Sequence, residues 1–239
     1  MFEFATASMD DVTAIVGLLP RQNHSVKLTK QFKGLELNQD VRFVEVNRDW
    51  AAVKASNPGM LPILEGDIHL HSQAFPKPVA ARIQKVDLEK GMFLLSDLAY
   101  MDWKERRAER VQPGRPTHIT LRCKGKSYRV FLEDISAHGM GILANRGFIK
   151  EKTVRLGAWV YLDFSLGQNF DCSDLKGKIL YVHRDGDSLT KAGIQLSPTL
   201  VQTRSLLRYI ARRRKEILDE IAEAVSGRDE PRGVQSLYF

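Results

Sequence analysis

The order of apolar and polar positions changes character three times along the chain. Near the N-terminus, the run Met9-Asp10-Asp11-Val12-Thr13-Ala14-Ile15-Val16 predicts a short helix, with Asp10 as its cap and its end before Gly17 or Pro20. From Ser25 to Leu70 the pattern turns to short alternating segments broken by Gly, Asn and Pro. Val41 to Val46 alternates as a half-buried strand does. Asn57-Pro58-Gly59 and Glu65-Gly66-Asp67 are turn chemistry. Val79 to Asp87 and Gly91 to Leu95 read as two further strands around a polar turn. This first part is therefore expected to be β-rich, a small barrel ending near Asp97.

A second alternating series follows a connector, Leu98 to Pro116, that holds Trp103, a dense run of charge and the turn-prone Pro113-Gly114. Thr117–Cys123 and Tyr128–Leu132 are predicted strands joined by the tight turn Lys124-Gly125-Lys126. Gly139–Leu143, Trp159–Phe164, Gly177–Val182 and Ala192–Leu196 continue the series. Six short strands with turns at regular spacing argue for a closed barrel. The pattern then switches to a helical period. Ser197 is the expected cap, Pro198 suits the first turn, and Gly227 lies just past the end. Leu207, Ile210, Ile217, Ile221 and Ala224 form one stripe, widened by Leu206, Leu218 and Val225.

The fold expected is mainly β: two small β-barrel domains with a C-terminal α-helix. Residues 1–98 form the first domain, 99–116 a linker, and 117–226 a second barrel with its helix over about 199–226; 227–239 are a tail.

Composition narrows the classes. A hydrophobic share of 43% and a charged share of 27% suit a globular protein. No apolar run reaches the ~18–20 residues of a membrane span, and Met1-Phe2-Glu3-Phe4 lacks the start of a signal peptide. Two cysteines, Cys123 and Cys172, stand far apart and fit a reduced cytoplasmic setting. Charge is uneven: residues 1–102 carry 11 basic and 13 acidic side chains, residues 103–239 carry 25 and 16. A basic second half suits an anionic ligand.

The chemistry concentrates at the connector and just beyond it. Arg106 and Arg110 are four apart, with Arg107 between them, and Asp134, Ser136 and Gly139 follow where two strands meet. Arginine offers five donors in a planar, permanently charged fork that binds phosphate and reads the O6/N7 edge of guanine. Asp134 only accepts at neutral pH, which suits the N1–H and amine of guanine's other edge. Ser136 can donate to a phosphate or base. Gly139 allows a positive φ or a close approach. Taken singly, an arginine pair is most often a solvated patch, and Asp-x-Ser-x-x-Gly a strand-to-turn transition bonded to local backbone. In this order and flanked by strands, they imply a ligand that is both anionic and guanine-bearing.

Other motifs carry less. His69 and His71 share one face of a strand, but no third ligand is spaced to join them in a metal site. His183-Arg184-Asp185 matches the kinase catalytic triplet without the rest of that signature. Arg212 to Lys215 form a basic cluster, yet Glu216, Asp219, Glu220 and Glu223 follow within two turns, favouring internal pairing over nucleic-acid binding.

The combination Arg106-x-x-x-Arg110 with Asp134-x-Ser136-x-x-Gly139 resembles the PilZ domain, the bacterial receptor module for cyclic di-GMP, over roughly Trp103 to Arg214. The resemblance implies a six-stranded barrel and a receptor with no turnover and no cofactor, its ligand being cyclic di-GMP. Carried over, Arg106 and Arg110 hold guanine and phosphate, Arg107 is a further phosphate contact, Asp134 and Ser136 take the other guanine edge, and Gly139 permits the approach. Glu105 stands before the first motif arginine, which leaves open whether one or two ligand molecules bind. With the β-rich first domain, the whole is similar to the YcgR-type flagellar brake proteins. That similarity implies a PilZN-type first barrel, a ligand that reorients the two domains, a motor or stator partner, and a cytoplasmic protein, monomer or homodimer, recruited to the flagellar basal body. Control of exopolysaccharide, pili or virulence is the alternative output; a nucleic-acid-binding module stands further off.

Overall fold

The computed structural model describes residues 9–19, 25–102, 108–145, 154–167, 170–185 and 189–226. The chain divides into two compact units, one built on the first barrel and one on the second barrel with the C-terminal helix as far as Ile217.

In the first unit, helix α1 spans Met9–Val16, so Asp10 lies inside the first turn and is not its cap. Val12, Val16 and the following Leu19 are buried and join the barrel core. The strands are β1 (Val26–Phe32), β2 (Leu35–Val46), β3 (Ala51–Ala55), β4 (Gly66–His71), β5 (Val79–Asp87) and β6 (Met92–Tyr100). They close in the order β1-β2-β3-β6-β5-β4. Strand β6 runs past Asp97, and Leu98 and Tyr100 are still buried on it. Alternation places Val41 and Phe43 on β2, Ile68 and Leu70 on β4, and Phe93 and Leu95 on β6 inside. His69 and His71 sit on β4 opposite Thr29 and Lys27. Among the described residues no group of three or more His, Cys, Asp or Glu side chains is placed to hold a metal ion.

In the second unit, β7 (His118–Cys123), β8 (Lys126–Ile135), β9 (Gly139–Asn145), β10 (Trp159–Ser165), β11 (Asp171–Asp185) and β12 (Leu189–Leu196) form a second closed barrel, ordered β10-β11-β12-β9-β8-β7. Counted from its own first strand, each barrel has the same order. Each also opens with a two-residue Lys-Gly hairpin, Lys33-Gly34 and Lys124-Gly125, with both residues at positive φ. That is the type I′ geometry whose twist matches the strands it joins. The interior is filled by Ile119, Leu121, Ile135, Met140, Ile142, Val160, Leu162 and Leu175, all fully buried. Each such side chain is worth roughly 1.5–3 kcal/mol relative to exposure. His183-Arg184-Asp185 lies on β11, paired with β12 through Lys191, Thr190 and Leu189. It is sheet, not a catalytic loop.

Helix α2 spans Leu200–Ser226. Its cap is Thr199 and not Ser197: the N–H of Gln202 donates to Thr199 Oγ1 at 3.3 Å while Thr199 N–H donates to Gln202 Oε1 at 2.9 Å. This reciprocal pair satisfies two backbone donors at the helix start. The buried face is Leu206, Tyr209, Ile210, Arg213 and Ile217, whereas Leu207 and Leu218 are 51% and 42% exposed. The apolar stripe read from the sequence is therefore turned toward Tyr209 and Arg213, whose long stems cover apolar surface while their polar ends find partners. The basic cluster is paired internally in part, Arg213 with Glu216 at 3.1 Å and Arg212 with Glu216 at 3.8 Å, and Arg214 reaches Glu109 at 3.1 Å. No helix among the described residues is long and apolar enough to cross a membrane.

Candidate functional site

The site forms where the segment before β7 returns to the barrel. Val111, fully buried, makes a two-way bridge with Ile135: its N–H donates to Ile135 O at 2.9 Å, and Ile135 N–H donates back at 3.0 Å. The bridge is antiparallel, so Arg110 comes across from Ser136, and its long side chain reaches over to Asp134. Arg110 Nη1 lies 3.1 Å from Asp134 Oδ1 and 3.4 Å from Oδ2. Asp134 is only 9% exposed, and its Oδ1 also accepts from Gly141 N–H at 3.1 Å. A buried carboxylate needs such partners.

The turn from β8 to β9 supplies the rest. Ser136 N–H donates to Gly139 O at 2.8 Å, and Ser136 Oγ donates to the same oxygen at 3.1 Å. Gly139 does not adopt a positive φ. Its requirement is space: a Cβ there would stand 3.3 Å from Ser136 Oγ and 3.6 Å from Arg110 Nη2. The structure therefore brings Arg110, Asp134, Ser136 and Gly139 into one cluster within the second unit. Arg106 and Arg107 lie outside the described residues.

A β-bulge shapes the cluster. On β8 the pairing with β9 shifts between Leu132 and Asp134, so Glu133 and Asp134 both leave the core-facing row. Bulges re-aim side chains in this way. Glu133 is paired with Lys191 of β12. Tyr181 of β11 stands within electrostatic reach: burial pushes its phenol up, the Arg110 guanidinium opposes this, and the Asp134 carboxylate adds to it. At any neutral pH it is therefore an uncharged ring.

Several residues here escaped the sequence reading: Val111, Gly141, Gly193 and Tyr181. A usable signal existed for two of them. Glycines inside strands mark places where something approaches the backbone closely, and Gly141 and Gly193 are both interior to β9 and β12. A small cavity of about 200 Å³ lies elsewhere in the second unit, lined by Pro113, Gly114, Tyr209 and Arg213. Arg213 Nε there donates to Gln112 O at 3.0 Å, so its charge is spent on holding the helix.

The second unit is thus a six-stranded barrel with an Asp-Ser-Gly turn and an arginine delivered from the preceding segment. Residues 104–212 match the family model described as PilZ domain, and the chain carries a PilZ domain. No curated protein matches it. Among solved structures, YcgR from Escherichia coli in complex with c-di-GMP is 14% identical, covering 90% of this chain and 95% of that one, with a TM-score of 0.47. The MrkH–c-di-GMP complex from K. pneumonia is 18% identical over 94% and 98% of the two chains, TM-score 0.44. The inhibitor of motility MotI/DgrA from Bacillus subtilis is 14% identical over 80% and 96%, TM-score 0.41.

Proposed function

We propose that this protein is a receptor for cyclic di-GMP, binding it on the second barrel through Arg110, Asp134, Ser136 and Gly139, with Arg106 and Arg107 from the same preceding segment. The observation that best supports this is the bridge between Val111 and Ile135, which holds Arg110 Nη1 3.1 Å from Asp134 Oδ1. It couples the two halves of the motif, 24 residues apart, into one cluster of donors and acceptor. Pairing with Asp134 engages Nη1 of the fork, and the remaining guanidinium donors are suited to a phosphate or to guanine O6 and N7. Asp134, already accepting from Gly141 N–H, has a second oxygen for the guanine N1–H and amine. Such groups bind and release; they form no nucleophile–base pair, so the reading is of a receptor without turnover.

The output follows from where the arginines sit. Residues 99–116 act as the linker between a domain of residues 1–98 and the barrel of 117–226, so a ligand that pins the linker to the barrel sets the angle between domains. By this reading the protein works in the bacterial cytoplasm as a YcgR-like brake on the flagellar motor. Unchanged swimming on deletion, with no motor or stator protein retained by the ligand-loaded receptor, would move the output to exopolysaccharide, pili or virulence. Nucleic-acid binding by the helix is disfavoured because Arg212, Arg213 and Arg214 already face Glu216 and Glu109.

Calorimetry tests the site. Arg110→Ala removes hydrogen bonds to charged groups worth about 1.5–3 kcal/mol, so cyclic di-GMP affinity should fall about tenfold or more. A variant with an unchanged melting temperature and unchanged affinity removes Arg110 from the site.

A further inference from the structure

Four residues on four neighbouring strands form one row across the outside of the second barrel. Asp134 of β8 pairs with Gly141 of β9, Gly141 pairs with Gly193 of β12, and Gly193 pairs with Tyr181 of β11. The two middle positions carry no side chain, so the row is a shallow floor with a carboxylate at one end and an aromatic ring at the other. Both ends are set by a bulge. The β8 register shifts between Leu132 and Asp134, and the β11 register shifts between Ile179 and Tyr181. The second shift is visible in exposure: Leu180 and Tyr181, consecutive on a strand, are 50% and 42% exposed where alternation would send one of them inside.

The ring does not stand away from the sheet. A Cβ on Gly193 would lie 2.2 Å from Tyr181 Cε1, 2.6 Å from Cζ and 2.8 Å from Cδ1. Only glycine lets the ring lean across that position, toward Gly141 and the carboxylate beyond it. A Cβ on Gly141 would likewise meet Asp134 Oδ1 at 3.0 Å. Both glycines are thus used, one to seat the ring and one to seat the acid. His183, two residues along β11, lies 5.7 Å from the ring between centroids, with the two planes tilted by 30°.

Resting on the cyclic di-GMP reading above, we propose that Tyr181 is a ligand-contacting residue that stacks on a guanine base of the ligand, with Gly193 conserving the space for its ring and Asp134 gripping the same end of the ligand by its polar edge. A base presents a polar rim and an apolar face. The floor has a polar group for the rim and a partly exposed ring for the face, and stacking on an aromatic ring is worth an amount that alanine substitution detects easily.

Calorimetry of the full chain with cyclic di-GMP decides this. Tyr181→Ala should weaken binding about tenfold, Tyr181→Leu nearly as much, and Tyr181→Phe less than about twofold, since the face and not the hydroxyl is used. Gly193→Ala should weaken binding by pushing the ring aside without removing it. Tyr181→Trp should bind, with its added fluorescence quenched on saturation by the stacked guanine. Melting temperatures identify any variant that has lost its fold, and the Leu and Phe variants keep the side chain's bulk. Undiminished binding by both Tyr181→Ala and Tyr181→Leu, beside normal wild-type binding, overturns the stacking role and leaves the receptor reading intact. Equal losses in Tyr181→Phe and Tyr181→Ala assign the contact to the hydroxyl and also overturn it. Absence of wild-type binding overturns both readings.

Discussion

At the scale of single residues, the second barrel spends its glycines and its bulges on polar placement. Asp134 is nearly buried and is held by Arg110 and by the N–H of Gly141. Gly141→Ala places a methyl 3.0 Å from the carboxylate oxygen and 3.2 Å from Glu133 Oε2. It should displace Asp134 and lower cyclic di-GMP affinity about tenfold, the size of one lost charged hydrogen bond; isothermal titration reads this directly. A second acid, Asp163, is also held by several donors. Asp163 on β10 is desolvated by burial, which pushes its carboxyl up, but the N–H of Asp174 at 2.8 Å and the Arg122 fork at 2.8 and 3.1 Å outweigh this and leave it below its ordinary value. A carboxyl depressed in the folded state stabilises the fold above its unfolded value, about 3.9, and the benefit fades as pH falls through the folded value. The melting-temperature gap between wild type and Asp163→Asn should therefore be widest near neutrality and shrink below about pH 4. A gap that stays constant from pH 7 to pH 3 would contradict the assignment.

At the scale of elements, helix α2 shows how a polar residue can anchor a packed face. Arg213 is 5% exposed, donates from Nε to Gln112 O and from Nη1 to Glu216, and lies on the same side as Leu206, Ile210 and Ile217. It ties the helix to the segment just after Arg110. Arg213→Ala removes the donor to the Gln112 carbonyl and one of the two arginines paired with Glu216, and should cost about 2 kcal/mol, measured as a lower urea midpoint at an unchanged m-value. The start of this helix illustrates why caps are hard to read locally. Ser197 is the start expected from the sequence; the reciprocal bonds of Thr199 and Gln202 place it two residues later. Strand positions were legible in most cases because alternation survives burial on one face. The two bulges were not: each breaks the alternation of its own strand, at Glu133-Asp134 and at Leu180-Tyr181, but which partner position the extra residue faces depends on register with the neighbouring strand.

At the scale of the whole molecule, the two barrels repeat one strand order and one Lys-Gly opening hairpin, yet only the second carries the acid–serine–glycine turn. The difference between a plain barrel and a candidate receptor lies in a few outward-facing positions on a shared scaffold. If the arginine segment closes over ligand as proposed, small-angle scattering profiles should differ between ligand-free protein and protein saturated with cyclic di-GMP. Superimposable profiles would leave binding untouched and remove the domain-reorientation part of the proposal.

Sequence alone determined the mainly β class, two barrels and the closing helix, and it singled out Arg106, Arg107, Arg110, Asp134, Ser136 and Gly139 as candidates for one site. Those features live in periodicity, turn chemistry and short spacing, all of which are properties of neighbouring residues. Tertiary structure decided what joins that set: the Val111–Ile135 bridge that delivers Arg110 to Asp134, and the row of glycines that carries Tyr181 toward the same carboxylate. These depend on register between strands far apart in sequence, and register is fixed only when the barrel closes.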